Sequence, residues 1–167
     1  LLLNVMNFRS LIATKASRMV QAAGGRSVID FGLRRAQGTA GLQASRAAAI
    51  GGCSATSNVL AAKRYGLVPS GTQAHAWIQS FDDELAAFRA FAEHYEGDPV
   101  LLVDTYDTLR SGVPNAIRIA DELAASGRTL RAIRLDSGDL AYLSKKARAM
   151  LDEAGHRDVA IAASNSL

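Results

Sequence analysis

Cysteine occurs once in the 167 residues, at Cys53. No intrachain disulfide can form, and no Cys/His spacing resembles a zinc site. The protein is therefore expected in a reducing compartment, the cytoplasm. Proline occurs three times and builds no linker, and no internal repeat or low-complexity segment interrupts the chain. Long apolar runs are lacking as well. The opening "LLLNVMNFRSLIATKASRMV" is broken by Asn4, Asn7 and Arg9, so it neither spans a membrane nor carries a signal peptide's cleavage pattern. It starts without Met or a capping residue, as the middle of a helix would, and the expectation is a chain whose flanking parts are absent. The 19 basic and 16 acidic residues are interleaved and form no basic arm, which argues against nucleic acid as a partner.

What is present is a packed-core composition, 49% apolar and 21% charged, at a length that suits one domain over residues 1–167. Val5, Phe8, Ile12, Ala16 and Met19 recur at helical spacing, so residues 1 to 23 form an amphipathic helix ended by Gly24 and Gly25. "RSVIDFG" reads as a strand, and "SRAAAIGG" and "TSNVLAAKRYG" as helical segments. Strands and helices then alternate: "GLVPSGT", helix 82–95, "PVLLVD", helix 112–126, "LRAIRLD", helix 140–154 and "VAIAAS". Alternation of this kind predicts a parallel α/β sheet. "VLLV" and "VAIAA" lack period-two patterning, as strands covered on both faces do. Asp82 and Asp139 are candidate N-caps.

In parallel α/β folds the loops after the carboxyl ends of the strands form the site. Here those positions hold Asp30, Phe31, Arg34 and Arg35; then Thr72 and His75; then Asp104, Thr105 and Asp107; then Arg134, Asp136 and Ser137; then Ser164 and Asn165. Arg134 and Asp136 lie two apart at a strand end, so both project to one side while Leu135 packs on the other. Two readings stand: an internal ion pair, or an arginine that meets an anionic ligand beside a carboxylate that accepts from hydroxyls, as for a sugar phosphate. His94 and His156 read as surface residues, and Trp77 and Phe81 as core or rim. The Gly-rich "GGCSATSN" matches no known phosphate loop.

"DFGLRRAQG", "GTQAHA", "LLVDTYDTLRSGVPNA", "IRLDSGDL" and "ASNSL", in this order and spacing, closely resemble nicotinate phosphoribosyltransferases over essentially the whole chain. The resemblance implies an irregular parallel α/β barrel of the type II phosphoribosyltransferase kind, incomplete here and lacking its amino- and carboxyl-terminal parts. It implies the joining of nicotinate to 5-phosphoribosyl 1-pyrophosphate, coupled to hydrolysis of ATP as co-substrate, with Mg2+, in a cytoplasmic homodimer with shared active sites and with no nucleic-acid or membrane partner. By position, His75 resembles the histidine that is phosphorylated and Phe31 the aromatic under the pyridine ring. Arg34 resembles the arginine facing the phosphates, with Arg35 beside it, and Thr72 and Arg134 resemble the nicotinate contacts. Asp104 and Asp136 resemble the catalytic carboxylates near the ribose and the pyrophosphate, with Ser137, Ser164 and Asn165 completing the substrate-binding set; no metal ligand is assigned with certainty. The alternatives are the nicotinamide-specific enzyme, a non-catalytic nucleotide-binding fragment, and a metal-dependent lyase using Asp104, Asp107 and Asp136.

Overall fold

A computed structural model describes residues 2–165; Leu1 of the first predicted helix and Ser166 and Leu167 of the "ASNSL" motif lie outside the described residues. Where the sequence reads as one domain, two compact units divide the chain, one running to Gly71 and the other starting at Thr72.

The first unit begins with α1 (Leu2–Ala22), packed against α2 (Thr39–Ile50). Only part of the apolar face predicted on α1 is covered. Ala16 is buried and Ile12 and Met19 are half-buried, whereas Val5 and Phe8 are exposed, because α2 has 12 residues against the 21 of α1. Gly51, at the end of α2, sets how closely the helices approach: a Cβ there would lie 2.5 Å from the Ala13 carbonyl oxygen and 2.6 Å from the Ala16 Cβ. The Gly-rich stretch around it thus serves packing between helices.

β1 (Ile29–Asp30) pairs in parallel with β2 (Ala55–Thr56), a strand missing from the sequence reading, which began a helical segment at Thr56. Helix α3 (Val59–Tyr65) starts after it, with the Asn58 side chain accepting from the Ala61 amide at 3.0 Å. A 3₁₀ turn covers Gly32–Arg35. The strand expected at "GLVPSGT" is not formed. Pro69 makes a single bridge to Thr56, flanked by hydrogen bonds from the Thr56 amide to Val68 and from the Ser70 amide to Thr56. Pro69 stands where the bridge needs no N–H, and pairing stops there because the Asn58 amide, next in line, is taken by Thr56 Oγ1 at 3.1 Å.

The second unit holds α4 (His75–Ile78), α5 (Glu84–His94), β3 (Val100–Leu102), α6 (Val113–Ala125), β4 (Ala132–Leu135), α7 (Leu140–Glu153) and β5 (Ala160–Ala163). The strands form one parallel sheet in the order β3-β4-β5, with Leu102 opposite Arg134 and Arg134 opposite Ala162. Mixed α/β architecture with parallel sheets is what the alternation predicts. Leu101, Leu102, Val103, Ile133 and Leu135 are fully buried against Phe88, Ile119 and Leu151. β5 departs from the expectation of two covered faces: it lies at the sheet's edge, where Ala160, Ala162 and Ala163 are exposed and Ile161 alone packs on the core.

Two helix starts differ from the reading. α5 is capped by Asp83 and not Asp82, its carboxylate accepting from the Ala86 amide at 2.8 Å. Adjacent aspartates cannot be ranked by local pattern. The register is set by Glu84, buried and accepting from the Ser111 hydroxyl and, at 3.0 Å, from Asn115. The helical run containing α6 begins earlier than residue 112, as a π-turn over Thr108–Gly112 whose start is held by the Asp107 carboxylate on the Leu109 and Arg110 amides. Pro114 has no N–H for the Arg110 carbonyl and crowds it, which widens the turn in front of it. Asp139 caps α7 as expected, accepting from the Tyr142 amide at 2.9 Å.

Candidate active site

Parallel pairing puts the ends of β3, β4 and β5 side by side, and the polar residues that follow them meet there. Arg134 is the last residue but one of β4, and its guanidinium is held on three sides. Nε donates to Ser164 Oγ at 2.9 Å, Nη1 to Thr72 Oγ1 at 2.6 Å and Nη2 to Asp136 Oδ1 at 2.6 Å. The Arg134 and Asp136 side chains are only 14% and 15% exposed, so water screens this ion pair weakly. Leu135, between them, points the other way into the core. The side-by-side projection read from the i, i+2 spacing is thus present, and the ion-pair reading describes this state of the protein.

Asp136 also accepts a short hydrogen bond from the Ser164 hydroxyl. Burial on its own would raise the Asp136 pKa, but the hydrogen bonds from Ser164 and Arg134, with the nearby charges of Arg134 and His75, outweigh it and leave the carboxyl below the ordinary value. The main chain after β4 is fixed by Asp104, at the end of β3. Its Oδ2 accepts from the Asp136 amide at 2.8 Å and from Ser137 Oγ at 2.6 Å. Asp104 Oδ1 is buried and has no hydrogen-bond partner among the described residues.

His75 opens α4 and stands over these carboxylates. Nε2 lies 3.6 Å from Asp136 Oδ2 and 3.9 Å from Asp104 Oδ1, while Nδ1 lies 3.0 Å from Thr105 Oγ1. The segment carrying it is tied to the sheet by Gln73, buried, whose side-chain oxygen accepts from the Leu102 amide on the outer edge of β3. Asn165 adopts a left-handed φ of 87°, a region asparagine enters more readily than most residues, and its side-chain amide donates to the Asp136 carbonyl at 3.1 Å.

The structure therefore brings together Thr72, His75, Asp104, Arg134, Asp136, Ser137, Ser164 and Asn165 within the second unit. Phe31, Arg34 and Arg35 belong to the first unit, at the end of β1. There the Asp30 carboxylate accepts from the Gly32 amide at 2.8 Å and from Thr56 Oγ1 at 2.9 Å, which pins the turn that presents Phe31, half-buried, and the exposed Arg34 and Arg35. Asp107 is spent on capping the π-turn, and no group of three or more His, Cys, Asp or Glu able to hold a metal occurs among the described residues. His156, read as a surface residue, is only 16% exposed and bonds Asp121 Oδ1 at 2.8 Å, while His94 is exposed. Trp77 sits at the rim, its indole N–H donating to the Ala87 carbonyl. Sequence reasoning gave no role to Gln73, Thr56 or Thr105. Thr105 stood at a strand end and could have been singled out there, whereas Gln73 and Thr56 become informative only once β3's edge and β2 are known.

The family model for the nicotinate phosphoribosyltransferase (NAPRTase) family matches residues 26–158. Nicotinate phosphoribosyltransferase of Bacillus subtilis is 55% identical over 99% of this chain and 34% of its own length. Among solved structures, nicotinate-nucleotide pyrophosphorylase of Pyrococcus furiosus superposes with a TM-score of 0.84 at 32% identity, over 96% of this chain and 41% of that one. Human nicotinic acid phosphoribosyltransferase superposes with a TM-score of 0.82 at 31% identity, over 95% and 43%. By fold the chain is of the mixed α/β class with parallel sheets, and these nicotinate enzymes are its structural neighbours. The chain belongs to the nicotinate phosphoribosyltransferase family. It spans about a third of the length of the curated relatives it matches.

Proposed function

We propose that the protein carrying this chain joins nicotinate to 5-phosphoribosyl 1-pyrophosphate, releasing nicotinate mononucleotide and pyrophosphate in pyridine nucleotide biosynthesis, with ATP hydrolysis coupled through phosphorylation of His75. The observation that carries the reading is the gathering of His75, Asp104, Arg134 and Asp136 at one end of a parallel sheet. A guanidinium suits the carboxylate of nicotinate as a charge-assisted fork, with Thr72 beside it. Arg134 already donates to Thr72 and Ser164, so its plane is fixed before any ligand arrives and little ordering is left for binding to impose. Displacement at C1 of the ribose passes through an oxocarbenium-like state, which the Asp104 and Asp136 carboxylates stabilise electrostatically. Nicotinate's ring nitrogen already carries a lone pair, so no general base is needed.

Mg2+ fits the donor set. It is commonly held by one or two carboxylates together with substrate phosphates, and the partnerless Asp104 Oδ1 beside Asp136 Oδ2 offers such a pair. Bound there, it would neutralise charge on the pyrophosphate. Phe31 stacks on the pyridine ring, and Arg34 and Arg35 face phosphates. Ser137, Ser164 and Asn165 complete the binding set. The complete protein closes a type II phosphoribosyltransferase barrel and acts in the cytoplasm as a homodimer with shared sites. No helix among the described residues is long and apolar enough to cross a membrane.

Incubation of the intact protein with ATP labelled at the γ-phosphate yields an acid-labile protein phosphate that is absent from His75→Ala. Label persisting in that variant sinks the histidine assignment. Competition between nicotinate and nicotinamide tests the substrate, and turnover of nicotinamide but not nicotinate overturns it.

A further inference from the structure

Neither carboxylate oxygen facing His75 Nε2 is within hydrogen-bond distance of it, so the carboxylates alone do not hold the ring. Among the described residues, the ring's hydrogen bond is on its other nitrogen, with Thr105. We propose that Thr105 is the positioning residue of His75: its hydroxyl donates to Nδ1 and holds the imidazole in the tautomer that carries its proton on Nε2, turned toward Asp104 and Asp136.

The tautomer follows from the charges around the ring. Asp136 Oδ2 at 3.6 Å and Asp104 Oδ1 at 3.9 Å both face Nε2. Two carboxylate oxygens beside one nitrogen favour an N–H there and disfavour a lone pair. Asp104 Oδ1 strengthens the bias, because it is a buried acceptor with no donor of its own among the described residues. The lone pair is then on Nδ1, 3.0 Å from Thr105 Oγ1, and a hydroxyl, which donates or accepts as its partner requires, donates.

The two contacts come from consecutive residues at the end of β3, Asp104 facing Nε2 and Thr105 facing Nδ1, so one strand end addresses both sides of the ring. Threonine is suited to the task. It is β-branched and half-buried here, so its hydroxyl has few rotamers to choose from. The consequence for reaction rests on the reading of His75 as the phosphoryl acceptor: the Nδ1 lone pair attacks the γ-phosphorus of ATP as the Thr105 hydroxyl turns aside, and the bond to the leaving ADP oxygen breaks. The Nε2 proton passes to the facing Asp136 or Asp104 carboxylate, so the ring starts in the tautomer and orientation that the transfer requires.

The test uses intact protein without Mg2+, labelled with 15N in its histidine rings, with the His75 signals in two-bond 1H–15N spectra assigned by their loss in His75→Gln. At a pH where the ring is neutral, wild type is expected to show a protonated Nε2 and an unprotonated Nδ1. Thr105→Val is expected to move both shifts toward a mixture of tautomers, while Thr105→Ser keeps the wild-type pattern and the signals of His94 and His156 stay in place. A wild-type spectrum with the proton on Nδ1 overturns the proposal, as does a Thr105→Val spectrum unchanged from wild type. Labelling with ATP adds a kinetic readout: phosphorylation slows on the order of tenfold in Thr105→Val and recovers in Thr105→Ser. If the spectra behave as expected and no histidine is ever phosphorylated, the coupling reading above fails and the positioning role stands.

Discussion

Arg134 and Asp136 face each other at 2.6 Å between guanidinium Nη2 and carboxylate Oδ1, at the end of a buried strand. Each is also tied to Ser164, which accepts from Arg134 and donates to Asp136. The pair is thus one corner of a network that reaches across all three strand ends of the sheet.

Removing one member leaves the other charge with little water to replace it. Arg134→Ala is expected to lower the unfolding free energy by about 1–3 kcal/mol, since Thr72, Ser164 and Asp136 each lose a charged donor. Arg134→Lys recovers only part, because a single ammonium cannot span three acceptors in the plane that the guanidinium fits. Urea unfolding of the three proteins measures the order, and a fully stable Arg134→Ala would show that the network contributes nothing.

The depressed pKa of Asp136 has a defined consequence for stability against pH. A carboxyl that is more acidic folded than unfolded binds fewer protons in the native state. Its contribution is therefore present above the unfolded value of about 4 and lost as pH falls through the lower folded value. In Asp136→Asn the urea midpoint should fall less steeply than in wild type as pH drops below about 4. Parallel curves for the two proteins in that window would remove Asp136 from the acid response.

How far the sequence reaches can be judged from these same residues. The projection of Arg134 and Asp136 to one side follows from the two-residue period of a strand, and the burial of Leu135 between them follows with it. Parallel pairing follows from alternation of elements, and with it the gathering of polar residues at one end. What local pattern could not supply depends on neighbours distant in sequence. Asp83 caps in place of Asp82 because Glu84 is anchored by Ser111 and Asn115. Two-residue β2 is too short to show a period, yet it supplies the Thr56 that fixes Asp30. Gln73 matters because β3 ends the sheet and leaves the Leu102 amide to be satisfied from outside.

Gly112 offers a test of how closely the π-turn lies on β3. A Cβ at this position would fall 1.8 Å from the Val103 carbonyl oxygen, a main-chain atom that cannot rotate away. Gly112→Ala is expected to cost about 3 kcal/mol through overpacking. Gly127→Ala, where nothing lies within 4 Å and φ is +75°, meets only the left-handed penalty of about 1–2 kcal/mol. Chemical denaturation of both variants should place Gly112→Ala lower, and the reverse order would contradict the packing at Val103.

Asp104 performs two tasks that separate by substitution. Its Oδ2 holds the turn after β4 through the Asp136 amide and the Ser137 hydroxyl, and its Oδ1 brings negative charge to His75. Asp104→Asn keeps an oxygen that can accept from the Asp136 amide, so the turn survives and stability should fall by no more than about 1 kcal/mol. Asp104→Ala leaves the Asp136 amide without its partner, a loss of about 1–3 kcal/mol. Formation of nicotinate mononucleotide by the intact protein should behave differently. It should drop in both variants, since both remove the charge, and stability should follow the hydrogen bonds. Full turnover in Asp104→Asn would confine Asp104 to holding the turn and leave Asp136 as the carboxylate that serves the reacting ribose.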